Sequence, residues 1–123
     1  QNDFNIAWKD YSWPFYEGHL REMTNLLQGK SALAIVVFPY EPQLTYRHDV
    51  DSYEYATKPQ RHLNALCQKY GVPCLDLYPV FSESYDRGQK LYRDGIHLNE
   101  SGHRLTTTTL HSFLIRNHQL AAN

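Results

Sequence analysis

Residues 32–38 read Ala-Leu-Ala-Ile-Val-Val-Phe and are followed at once by Pro39. An unbroken apolar run with β-branched residues at its centre fits a strand covered on both faces, as inside a parallel sheet. Parallel neighbours cannot be joined by a hairpin and need a crossover, usually a helix. The flanking sequence has the pattern this requires. Upstream, Tyr16, Leu20, Met23 and Leu27 share one face of a helix expected from Ser12 or Trp13 to Gln28, with Pro14 at its start and Gly29 at its end. Downstream, a helix is expected over 57–70, with Pro59 in its first turn, Leu63, Leu66 and Tyr70 turned inward, and Gly71 closing it. Residues 73–77 read as a second short strand and 80–85 as a helical turn. A last helix starts after Asn99, a good N-cap followed by Glu100, and runs towards His118. Its threonines at 106–109 are poor helix formers, so Leu105, Leu110, Phe113 and Leu114 must hold it by packing. Residues 40–56, rich in tyrosine, are expected to form a long polar connection. Helix, strand, helix, strand, helix is an α/β order with a parallel sheet. Two strands cannot bury three amphipathic helices, so more of the sheet is expected than these residues supply.

The chain of 123 residues is at most one domain, and its net charge of −1 removes the basic excess that attracts phosphate backbones. Nucleic acid is therefore not an expected partner. No apolar run approaches the length of a membrane span. No signal-peptide pattern opens the chain, which starts at Gln1 and has Met23 as its one methionine. The expectation is a processed N-terminus or the later part of a longer protein. Cys67 and Cys74 straddle the junction of the second helix and second strand, without metal-knuckle spacing. They are read as buried free thiols, small hydrophobes that leave redox compartment and localisation undecided.

The chemistry concentrates in Tyr92-Arg-Asp-Gly-Ile-His-Leu-Asn-Glu-Ser-Gly-His-Arg-Leu105. A carboxylate three residues before a histidine, Asp94 before His97, can fold back through one tight turn and accept the Nδ1 proton. Nε2 is then left as a general base towards a hydroxyl. Gly95 eases the turn. The pair follows the second strand, so it should lie at the carboxyl edge of the sheet, where open α/β sheets place ligands. The same spacing also fits a solvated loop pair. A metal reading with Asp94, His97 and His103 lacks a fourth strong ligand and the usual helical His spacing.

The stretch DGIHLNESGHR resembles the C-terminal signature of the SGNH hydrolases, the GDSL esterase/lipase family, with Asp94, His97, Gly102 and His103 in register. VVFPYEPQ is similar to the family's strand and its proline-containing, substrate-facing loop, and YGVPCLDLYPVF to the helix end and strand that follow. Gln1-Asn2-Asp3 resembles the end of the family's Gly-x-Asn-Asp motif.

The resemblance implies the later half of a three-layer α/β/α flavodoxin-like fold with a parallel sheet, so that residues 1–123 are the C-terminal part of one domain. It implies Asp94 and His97 as catalytic acid and base, Asn2 as an oxyanion-hole donor and Tyr40 as a substrate contact. His103 is expected to hydrogen-bond in the loop or cap the last helix. No metal and no cofactor are implied; the substrate is a small-molecule or carbohydrate ester. Gly-Asp-Ser occurs nowhere in the chain, so the nucleophilic serine is expected on a missing N-terminal half or a partner chain. Alone, the chain is expected neither to fold as a monomer nor to hydrolyse esters. Two alternatives stay open: a catalytically inactive docking or self-associating fragment, and an acyltransferase using the same catalytic set.

Overall fold

In a computed structural model, residues 3–45 and 50–117 are described. Two short 3-10 helices, Asp3–Trp8 and Asp10–Ser12, lead into α1 (Trp13–Leu27). Then come β1 (Ile35–Val37), α2 (Glu41–Thr45), α3 (Val50–Ala56) and α4 (Lys58–Tyr70). The chain continues through β2 (Cys74–Asp76) and α5 (Tyr78–Asp86) to α6 (Glu100–Arg116). β1 and β2 pair in parallel, with Ile35 opposite Cys74, Val36 opposite Leu75 and Val37 opposite Asp76. The class is α/β with a small parallel sheet, and α3 and α4 make the crossover.

Both strands are shorter than the apolar run promised. Of β1, only Val37 is buried, and Phe38 just beyond it is 52% exposed. Pairing alternates along a parallel ladder. The Ile35 N–H donates to Pro73 O and the Leu77 N–H to Val37 O, so Val36 turns its backbone groups to the other edge of β1.

The largest departure from expectation is the tyrosine-rich connection, which holds two helices. Leu44, fully buried, docks α2 into the core, and Gln43 beside it is also buried. Alternation with polar residues hid this anchor, because a single deeply buried leucine leaves no periodic signature. On α1, Leu20 is buried as expected, but Tyr16 and Met23 stay 39% and 48% exposed. A salt bridge and a hydrogen bond, from Lys69 and Tyr70 of α4 to Glu17, set the rotation of α1 instead.

Helix ends follow local chemistry. Gly71 stops α4 in the left-handed conformation at φ 64°, and the Val72 N–H closes the turn on Cys67 O at 2.9 Å. Asn99 caps α6 by accepting from the Gly102 N–H at 3.0 Å. The four threonines of α6 each donate Oγ1 to the carbonyl four residues back, at 2.7–3.0 Å. Such back-bonding offers the backbone no gain, so α6 rests on Phe113, buried in the core, with Leu105, Leu110 and Leu114 packed around it. The remaining core is Leu44, Leu75, Leu77, Tyr78, Phe81, Leu91 and Tyr92. Cys67 and Cys74 are both free thiols, the first buried and the second half-buried. Burial, reinforced by Cys67, pushes the Cys74 thiol up to about 12.

Candidate active site

Leu91 and Tyr92, each 1% exposed, are the buried stem from which an exposed loop projects between α5 and α6. Tyr92 pairs with Leu98 in an antiparallel bridge, and the Arg93 N–H donates to His97 O at 2.8 Å. The Asn99 N–H donates to Leu91 O at 2.9 Å, and its side-chain amide to Lys90 O at 2.9 Å. The loop is thus clamped at its base while its tip faces solvent.

Two further contacts fix the clamp to the fold. Tyr92 donates its hydroxyl to Pro39 O at 2.5 Å, tying the loop to the end of β1. Gly102, in the first turn of α6, lies so close to the stem that an added Cβ would sit 2.3 Å from Leu91 O. Here glycine is required by close approach, not by backbone torsion.

At the tip, Asp94 Oδ1 accepts from the Ile96 N–H at 2.9 Å and the His97 N–H at 2.7 Å. His97 Nδ1 lies 2.8 Å from Asp94 Oδ2 and 3.0 Å from Oδ1. The backbone donors of Ile96 and His97, then the His97 ring, hold the Asp94 carboxyl down to about 2. An ionised carboxylate at Nδ1 selects the tautomer with its proton there. Nε2 therefore carries the lone pair, and it has no hydrogen-bond partner among the described residues. Asp94 and His97 remain 56% and 59% exposed at their side chains. Chemically, this is an oriented base open to a partner.

The loop also touches the far end of β1, where the Glu41 N–H donates to Gly95 O at 3.0 Å. Tyr40 and Pro42, on either side of Glu41, line a cavity of about 530 Å3 together with Trp8, Gln43, Tyr55 and Ala56. Tyr40 meets Trp8 edge-to-face at 5.6 Å. Burial, and then Tyr55, raise the Tyr40 phenol above its ordinary pKa. Tyr40, expected from the resemblance as a substrate contact, thus lines a cavity; Trp8 was not singled out, because nothing in its sequence surroundings links it to residues some 30 to 50 positions on.

Asn2 lies outside the described residues. His103 is exposed on α6, and its backbone N–H bonds to Asn99 O. No three His, Cys, Asp or Glu side chains converge as metal ligands among the described residues. No helix among them is long and apolar enough to cross a membrane.

The family model described as GDSL-like lipase/acylhydrolase matches residues 2–105, from Asn2 through the Asp94–His97 loop and into α6. The chain belongs to the GDSL-like lipase/acylhydrolase family. No curated protein and no solved structure matches it. Membership in the GDSL-like family places the chain among hydrolases with esterase or acylhydrolase activity in general.

Proposed function

We propose that this chain supplies the acid, the base and one oxyanion donor of a serine ester hydrolase. The observation that carries the reading is the Asp94–His97 pair, with Nδ1 held at 2.8 Å and Nε2 open. In the reaction, His97 Nε2 takes the proton of a serine hydroxyl as its oxygen attacks the ester carbonyl. The Asp94 carboxylate stabilises the resulting imidazolium and keeps its ring in place. His97 then returns the proton to the leaving alcohol, leaving an acyl-enzyme. Water repeats the sequence to release the acid; an alcohol in its place makes the reaction an acyl transfer. Asn2 donates to the oxyanion, an interaction worth about 3 kcal/mol in the transition state. Tyr40 contacts the substrate, a small-molecule or carbohydrate ester.

The serine comes from a segment beyond these residues, an N-terminal half or a partner chain. The absence of Gly-Asp-Ser from the sequence and the single neighbour of β1 among the described residues support this. Residues 1–123 are then the later part of one three-layer domain, with the serine-bearing segment against the open edge of β1. The exposed apolar side chains Phe15, Leu26 and Phe38, 72%, 65% and 52% accessible, favour one other reading: a docking or self-associating piece without catalysis.

Hydrolysis of p-nitrophenyl acetate separates them. The 123-residue chain alone should show no saturable turnover, and adding the serine-bearing segment should create turnover that His97→Ala abolishes. Saturable activity of the chain alone, lost on His97→Ala, would overturn the outside serine. No activity in the assembly would leave the docking reading.

A further inference from the structure

The cavity beside the loop has a chemistry of its own. None of the eight described residues that line it is charged. Its buried polar atoms already have partners within the fold. The Trp8 indole N–H donates to Tyr55 O at 2.7 Å. The Gln43 side chain donates to Ala56 O at 2.7 Å and to Gln60 at 2.9 Å, and accepts from the Tyr40 N–H at 3.0 Å. A charged group entering this space would lose part of its hydration and find no counter-charge among the described lining residues. Sugar hydroxyls would have to find their partners among Asn5, Ser52 and the tyrosine hydroxyls, the polar groups of a mostly apolar wall. Moreover, Trp8 is only 9% exposed and stands at 87° to Tyr40, so no broad indole face is offered for a sugar ring to stack on. An apolar group needs only the aromatic walls, and about 530 Å3 falls within the ordinary range of small-molecule sites.

The cavity and the loop that carries the base both contact one backbone segment, residues 39–42. Tyr40 and Pro42 line the cavity, and Glu41 between them holds Gly95 of the His97 loop. Pro39, one residue earlier, accepts from Tyr92 at the loop's stem. The cavity is thereby tied to the loop that carries Nε2.

The geometry points to this cavity as the specificity pocket of the reaction, taking an uncharged apolar part of the ester, an aromatic ring or short alkyl group. Its tie to catalysis rests on the ester-hydrolase reading; its binding chemistry does not.

Heteronuclear NMR of the serine-complemented protein, titrated with the uncharged ketone benzylacetone, tests it without turnover. The Trp8 indole signal and the amides of Tyr40, Tyr55 and Ala56 should shift. The Trp13 indole, bonded to Ala7 O and stacked on His62, should not. Methyl glucoside and phenethylammonium should bind about tenfold more weakly or less. Ala56→Leu, which fills the cavity, should weaken benzylacetone by about tenfold, and Tyr55→Ala, which thins an exposed wall, by about threefold. Equal binding of the glucoside, shifts confined to other residues, or no dispersed Trp8 signal would each overturn the proposal. In the same protein, pocket binding without hydrolysis sinks the ester reading and leaves the pocket. Hydrolysis that does not favour benzyl over sugar esters sinks the pocket and leaves the ester reading.

Discussion

The Asp94–His97 loop and the Trp8–Tyr40–Tyr55 cavity meet at residues 39–42 yet are built in opposite ways. The loop is local: its turn, its acid–base bond and its capped helix all lie within residues 91–103. The cavity is assembled from a 3-10 helix, the end of β1 and two further helices, with residues up to 51 positions apart. A local device is specified by spacing and turn chemistry. A long-range one exists only once the core has brought its parts together. Substitutions in the two regions should therefore fail differently, the first in chemistry and the second in stability and selectivity.

The largest effect should be chemical and confined to the loop tip. In the serine-complemented enzyme, His97→Ala should lower kcat by about 10⁶-fold and Asp94→Asn by about 10⁴-fold, as for triads acting as a unit. Because both side chains are more than half exposed, stability should change far less than activity. Ester hydrolysis and urea unfolding, measured on the same samples, check this. A stability loss matching the activity loss would make the pair structural and dissolve the contrast.

Next comes the junction with α6. Gly102→Ala drives a Cβ to 2.3 Å from a backbone oxygen, which must move. About 1–3 kcal/mol of stability should be lost, read as a lower urea midpoint at unchanged m-value. Loop amides from Arg93 to Leu98 should shift in the NMR spectrum while those around the cavity stay put.

Tyr92→Phe probes the link between the regions. It removes the hydroxyl that bonds Pro39 O in the core, at a cost of about 1–2 kcal/mol. Both the loop and the cavity should respond in amide shifts, unlike with Gly102→Ala. A response of the loop alone would show the two regions to be independent.

The smallest effect is electrostatic. Asp94 is depressed from its ordinary 3.8 to about 2 when folded. A lowered carboxylate pKa favours the fold above the unfolded value, and that contribution disappears as pH falls from about 4 through about 2. The Asp94 side-chain carbon, followed by NMR, should titrate near 2, and the loop should keep its acid–base bond at pH 4. A midpoint near 4 would mean that the Ile96 and His97 amide bonds do not persist in solution.

Much of this molecule is written in short stretches. Gly71 and Asn99 end and start helices where their chemistry predicts, and the helix pattern of residues 57–70 became α4. Asp94, Gly95 and His97 foretold their own turn. Other parts were hidden for identifiable reasons. The rotation of α1 depends on Glu17 meeting Lys69 and Tyr70, more than 50 residues away, so periodicity overstated the burial of Tyr16 and Met23. α2 hangs on Leu44, one apolar residue among polar ones, and Trp8 carried no local mark of its cavity.

By itself, then, the sequence determined the α/β order, the parallel crossover, the capped helix ends and the bond between Asp94 and His97. Each depends on backbone preference or on contacts within a turn or two. Only the tertiary structure decided the docking of α2, the face α1 turns inward, the seating of Gly102 on Leu91 and the aromatic-walled cavity beside the loop. Those rest on burial and on pairs far apart in the chain. Their free energy depends on which surfaces the core brings together, and no local pattern encodes that.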